Sequence, residues 1–212
     1  MIHIIDKLKM TKKGLVAKDT KQEVHLQQGA MDGACAVYSM MMTLIIIGSI
    51  DRNDVVSLND ETIKGNTSKG RLINHFLYKN GFVRKGYYLS ELEEDLRHTY
   101  KKMVNTKYLT INDNDNDNLL DAILDALDHG NPVELGFCRK ENSAHAVVAI
   151  GYEEIEKGYL LYILDPGYAM PYGQYWNNVI VINTQSTREY NAFNAIEKSQ
   201  IQINEALIII PK

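Results

Sequence analysis

With 212 residues the chain is the size of one ordinary domain and can bury a hydrophobic core of its own. Its net charge of −4, with Lys and Arg scattered, argues against a nucleic-acid face, and the apolar stretch from Met40 to Ile50 is too short to span a bilayer. Two cysteines, Cys35 and Cys138, exclude a disulfide scaffold. The N-terminus lacks the pattern of a secretory signal, so the expectation is a cytoplasmic protein with both thiols reduced, or one exported without a cleavable signal.

Residues 1–26 read as a strand or extended lead-in ending at Val24-His25-Leu26, followed by a small-residue turn from Gln28 to Gly33. From Ala34 onward a helix is expected, because Ala34, Val37, Tyr38, Met41, Leu44 and Ile45 recur at helical spacing, with Gly48 at its end. Residues 51–105 read as mostly helical with short breaks. Ser68 to Lys79 puts Leu72, Ile73, Phe76 and Leu77 on one face before an Asn80-Gly81 turn, and Ser90 with Glu93 matches a capping box. Residues 112–118 alternate Asn and Asp ahead of an amphipathic helix through Leu119, Ile123, Leu124 and Leu127, which Gly130 and Pro132 close. Asp113, Asp115 and Asp117 begin like a calcium loop. The EF-hand pattern requires Gly at its sixth position and Glu at its twelfth, where this chain has Asn118 and Leu124, so a helix-capping loop is the better account.

After Pro132 the period changes. Val133–Phe137, His145–Tyr152, Tyr159–Leu164 and Asn178–Ile182 read as strands, with Ile208–Ile210 as the last. Helices first, over about 27–130, and antiparallel strands second, over about 131–212, predict a single α+β domain. There is no repeat and no linker rich in Pro, Gly or Ser.

Three positions carry chemistry. Cys35 opens the first helix, where free amide donors and the positive end of the helix dipole favour thiolate over thiol. His145 begins an apolar strand, which leaves its ring at the sheet end, and Asp165 ends the next strand ahead of Pro166-Gly167. If those strands form a hairpin, residues near 145 lie beside residues near 165, and Asp165 accepts the ring N–H of His145. Taken singly, each has a plainer reading: a buried thiol, a packed histidine, a turn aspartate. No zinc spacing appears among the other histidines, and neither a metal nor another cofactor is expected.

A cysteine at a helix start, then His-Ala-Val-Val-Ala-Ile-Gly-Tyr (145–152), then Leu-Asp-Pro-Gly (164–167) resembles the papain-like cysteine peptidase superfamily, closest to its bacteriocin-processing bacterial branch. The resemblance implies a papain-like fold, with the nucleophile helix packed on the C-terminal antiparallel sheet. It implies hydrolysis of peptide or isopeptide bonds in a protein or peptide substrate through a thioester. Cys35 is then the nucleophile, His145 the base and Asp165 its orienting acid, with Gln28 as an oxyanion donor. Two departures stand out: Ala36 follows Cys35 where Gly or Trp is usual, and Gln28 lies one position farther from Cys35 than is usual. Gly33 and Ala144, near Cys35 and His145, and the loop aromatics Tyr168 and Trp176 are candidate substrate-binding positions. Two alternatives keep the same fold: glutamine deamidation or amine transfer on a protein, and a non-catalytic binding module.

Overall fold

The computed structural model describes residues 1–30, 32–57, 65–79, 86–111, 119–141 and 143–212, with the backbone alone for Tyr78 and Lys79. The expected Asn80-Gly81 turn and the Asn/Asp segment 112–118 lie outside these residues.

The N-terminal region is not one extended lead-in. It contains β1 (His3–Ile4) and a separate hairpin of β2 (Leu8–Thr11) and β3 (Gly14–Ala17); Glu23 bridges Val16, Val24 N–H donates to Leu15 O at 3.3 Å, and Val24 and Leu26 are buried. Next comes α1 (Cys35–Ile46), ten of whose twelve residues are buried, as expected for a helix that is apolar all round. Gly48 ends it as read from the sequence. With φ at +71° it lets Gly48 N–H reach Ile45 O and Ser49 N–H reach Leu44 O, satisfying carbonyls the last turn leaves open.

The middle of the chain holds α2 (Arg52–Val56), α3 (Ser68–Ile73) continuing as a π-helical turn over Asn74–Lys79, and α4 (Leu89–Thr99). The expected capping box at Ser90 and Glu93 does not form. The helix starts two residues earlier, with Tyr88 at its N-cap, and Glu91 accepts the Tyr88 N–H at 3.4 Å. Glu93 instead accepts from Thr106 Oγ1 at 2.6 Å. That threonine belongs to β4 (Val104–Thr110), a strand the helical reading of this region lacks. The expected amphipathic helix is α5 (Leu119–Asp128), followed by Gly130 in the left-handed conformation.

The remaining strands are β5 (Val133–Arg139), β6 (Ala144–Ile155), β7 (Gly158–Leu164), β8 (Asn178–Asn183), β9 (Ala192–Asn194) and β10 (Ser199–Pro211). All pairings are antiparallel. In order β6, β5, β10, β9, β8 and β7 lie side by side, and β7 pairs again with β6, so the sheet closes into a barrel-like ring. β1 adds to β6 and β4 adds to β10. Ile208–Ile210, read as a short strand, is the end of the 13-residue β10. The chain is thus a mixture of helix and strand with a sheet-rich C-terminal part. None of its described helices is long and apolar enough to cross a membrane.

Register decides what meets what. β5 and β6 align Phe137 with His145, while β6 and β7 align Val148 with Leu164, which carries the start of β6 to the end of β7. Ser39 of α1 reaches this sheet directly, its buried Oγ donating to Ala146 O at 3.1 Å. The end of the barrel that holds the start of β6 and the end of β7 therefore also receives the N-terminal part of α1.

Candidate active site

Cys35 is the first residue of α1, preceded by Ala34, whose methyl side chain cannot cap the helix. Asp32 Oδ1 accepts the Ala34 N–H at 3.2 Å, and Cys35 follows at the positive end of the helix dipole. Burial alone would push the Cys35 thiol up. The hydrogen bond and positive charge of His145, with the Ala146 and Ala36 amides, outweigh it and hold the thiol below its ordinary value.

His145 lies at the second position of β6, its ring edge-on to Phe137 with centroids 5.6 Å apart. Nε2 lies 2.8 Å from Asp165 Oδ1, which leaves Nδ1 as the ring nitrogen available to Cys35. Burial would pull the ring down, but Asp165 and Cys35 raise it to about 9, so the imidazole carries its proton at neutral pH.

Asp165 has no exposed surface. Burial would push its carboxyl up, yet His145, the Gly167 amide and Asn178 together bring it below the ordinary carboxylate range. Oδ1 accepts from His145 and from Gly167 N–H at 2.9 Å, and Oδ2 accepts from Asn178 Nδ2 at 3.0 Å. Gly167 is suited to this turn because a Cβ there would come within 3.2 Å of Asp165 Oδ1 and 3.7 Å of the His145 ring.

A second layer fixes Asp165, and none of it was assigned from the sequence. Asn177 Oδ1 accepts the Asp165 N–H at 2.7 Å, and its Nδ2 donates to Asp165 O and to Tyr168 O, each at 2.8 Å. Asn178 Nδ2 also donates to Asn194 Oδ1 at 3.0 Å, and the His25 ring Nε2 lies 3.1 Å from Asp165 O. The one sequence signal for this layer is the polar pair Asn177-Asn178 at the start of an apolar strand.

The other candidate positions separate. Gln28 lies beside the Asp165 turn, its N–H donating to Pro166 O at 2.7 Å, and its side-chain Nε2 donates to Asp32 O at 2.6 Å, three residues before Cys35. Gly33 is half-buried, and its carbonyl approaches Gly86 closely, 3.4 Å from where a Cβ would stand. Ala144 is exposed at the start of β6, opposite Cys138. Tyr168 borders the Asp165 turn, its carbonyl accepting from Asn177 Nδ2 at 2.8 Å. Trp176 packs on Tyr162 of β7 with ring centroids 4.1 Å apart, a contact with the barrel wall. Among the described residues, no three His, Cys, Asp or Glu side chains are grouped to hold a metal ion.

A helix-start cysteine next to a histidine held by a buried aspartate is an arrangement able to supply a nucleophile and a base. The family model described as the Peptidase_C39 like family matches residues 18–198, which take in all three. The chain belongs to the Peptidase_C39 like family. Membership relates it to papain-like cysteine peptidases of the C39 type, and the matched span runs from the end of the β2–β3 hairpin into the turn before β10. No curated protein matches the chain.

Proposed function

We propose that this member of the Peptidase_C39 like family is a thiol hydrolase that cleaves a peptide or isopeptide bond, on a papain-like fold formed by the whole chain as one domain. The observation that carries the reading is the 2.8 Å contact between His145 Nε2 and buried Asp165, which together with Cys35 holds the imidazole up to about 9 while the imidazole draws the thiol down. In this reading the pair works as thiolate and imidazolium, the form a cysteine nucleophile needs.

In this mechanism the Cys35 thiolate attacks the scissile carbonyl carbon. The developing oxyanion takes the Cys35 backbone N–H and the second Nε2 hydrogen of Gln28, whose first is held by Asp32 O. The imidazolium of His145 gives its proton to the leaving amine, and the C–N bond breaks to leave a thioester on Cys35. His145, now neutral, takes a proton from water as the hydroxyl attacks the thioester. Collapse releases the carboxylic acid and regenerates the thiolate–imidazolium pair. Asp165 keeps Nε2 protonated and Nδ1 toward the thiol throughout.

The test is the pH dependence of Cys35 alkylation by iodoacetamide in Cys138→Ser protein, with and without His145→Ala. Rapid labelling at about pH 6 that disappears with His145→Ala supports the reading, because an unpaired cysteine titrates near 8.5. An ordinary profile unaffected by that substitution would remove it. Loss of peptide hydrolysis in Cys35→Ala would complete the case.

A further inference from the structure

The His145 ring meets buried Phe137 of β5 edge-on, with centroids 5.6 Å apart. Over that same Phe137 ring lies the guanidinium of Arg139, the last residue of β5, its carbon 5.3 Å from the ring centroid. All three guanidinium nitrogens are engaged. Nε donates to Glu197 Oε2 at 2.7 Å, Nη2 donates to Glu197 Oε1, and Nη1 donates to Ser143 Oγ at 3.3 Å. A planar fork held this way keeps one orientation, and with it the face it lays on Phe137.

Glu197 extends the contact toward Asp165. It stands in the turn between β9 and β10, and its backbone N–H donates to Asn194 Oδ1 at 3.3 Å. That oxygen also accepts from Asn178 Nδ2 at 3.0 Å, and the same Asn178 Nδ2 donates to Asp165 Oδ2 at 3.0 Å. Asn178 Oδ1 accepts the Ile196 N–H at 3.3 Å, so both ends of this amide hold the turn to β8. Asn178, Asn194 and Asp165 are buried, whereas the side chains of Arg139 and Glu197 stay 22% and 14% exposed. Arg139 therefore reaches the pair by two routes. One is the ring contact through Phe137 to His145, and the other is the hydrogen-bonded chain through Glu197, Asn194 and Asn178 to Asp165.

We propose that Arg139 is a positioning residue for the His145–Asp165 pair, holding Phe137 against the imidazole and, through Glu197, the asparagine chain against the carboxylate. This rests on the reading of that pair as the base and orienting acid that serve Cys35, and adds the residue that fixes their mutual position. His145 lies at the start of β6 and Asp165 just past the end of β7, where the strand ladders stop. Side chains there depend on such neighbours for a fixed geometry. A lysine at 139 could carry the charge, but neither the fork that grips both Glu197 oxygens nor the flat face laid on Phe137. An imidazole displaced by about an ångström loses alignment with Asp165 and with the thiol together.

The experiment follows the His145 titration by NMR in wild-type, Arg139→Gln and Arg139→Lys protein. Cys35 alkylation by iodoacetamide at pH 6 is measured alongside, with mass mapping to separate Cys35 from Cys138. Loss of a nearby positive charge would by itself raise the His145 midpoint in Arg139→Gln, and Arg139→Lys would leave it unmoved. Loosened positioning instead lowers it in both, from about 9 toward 6.5, and slows Cys35 labelling roughly threefold or more. If Arg139→Gln fails to fold, Arg139→Lys decides alone. A midpoint that stays near 9 in Arg139→Lys, or rises in Arg139→Gln, overturns the proposal, even where urea unfolding shows the variant to be less stable. A wild-type Cys35 that reacts no faster than Cys138 overturns the hydrolase reading instead, and the histidine titration still decides whether Arg139 positions the pair.

Discussion

His145 Nε2 and Asp165 Oδ1 meet at 2.8 Å across the ends of β6 and β7, two neighbouring antiparallel strands of a closed ring. The contact joins a largely buried ring to a carboxylate with no exposed surface, and the positive charge it stabilises on that ring draws down the Cys35 thiol. Replacing Asp165 by Asn keeps the shape and removes the charge. The His145 pKa should then fall from about 9 toward its ordinary 6.5, and Cys35 alkylation at pH 6 should slow at least about tenfold. Histidine NMR titration gives the first number and the alkylation rate the second. A His145 that still titrates near 9 would show that Asp165 does not hold it.

The ion pair also shapes stability against pH. His145 binds its proton more tightly folded than unfolded, so its contribution is complete below 6.5 and is lost as pH rises through about 9. Cys35 runs the other way. Its folded pKa lies below 9.0, so its contribution is complete above 9.0 and is lost as pH falls through the folded value. Across this window the two oppose each other in the wild-type protein. Cys35→Ser leaves only the histidine, held up by Asp165 alone, and its melting temperature should drop above pH 6.5 more steeply than that of the wild type. Parallel curves from calorimetry at several pH values would contradict the pairing.

The asparagine layer behind Asp165 should matter for folding as well as reactivity. Asn178→Ala removes the donor to Asp165 Oδ2 and strands a fully buried carboxylate oxygen. The expected loss is roughly 1–3 kcal/mol, read from urea unfolding, with slower Cys35 labelling alongside it. Unchanged stability would mean that the Asn178 contact carries no weight.

Gly151 is fixed by close approach. A Cβ there would lie 2.1 Å from His3 O and 2.9 Å from Ile4 Cα, so Gly151→Ala must push β1 off β6. The predicted cost is about 1–3 kcal/mol, with faster hydrogen exchange at the Ile5 amide, which bonds Ile150 O at 2.9 Å. Gly65→Ala, where nothing lies within 4 Å, should change stability by less than about 1 kcal/mol and serves as the control.

Local pattern in the sequence was enough for α1, α5 and β5 through β8, because each has a periodic apolar face or an apolar run several residues long. Gly48 was equally legible, since a left-handed residue just past a helix has its own residue preference. The candidate residues Cys35, His145 and Asp165 were legible because their positions at element ends are a property of the local pattern.

Only the tertiary structure decided how those ends meet. β1, β4 and β9 are short or half-exposed strands that exist by pairing with segments far along the chain, and nothing local marks them. His25 reaches Asp165 across 140 residues. Nothing local to Asn177 and Asn178 shows what they bond until the ring closes around them. Glu134 is the plainest case: nothing in the apolar strand Val133–Phe137 marks this acid as fully buried, and its burial comes from the elements packed around β5. Sequence sets the preference of each segment through its own side chains. Burial and long-range register are set by all segments together, and here they decide which polar groups face one another.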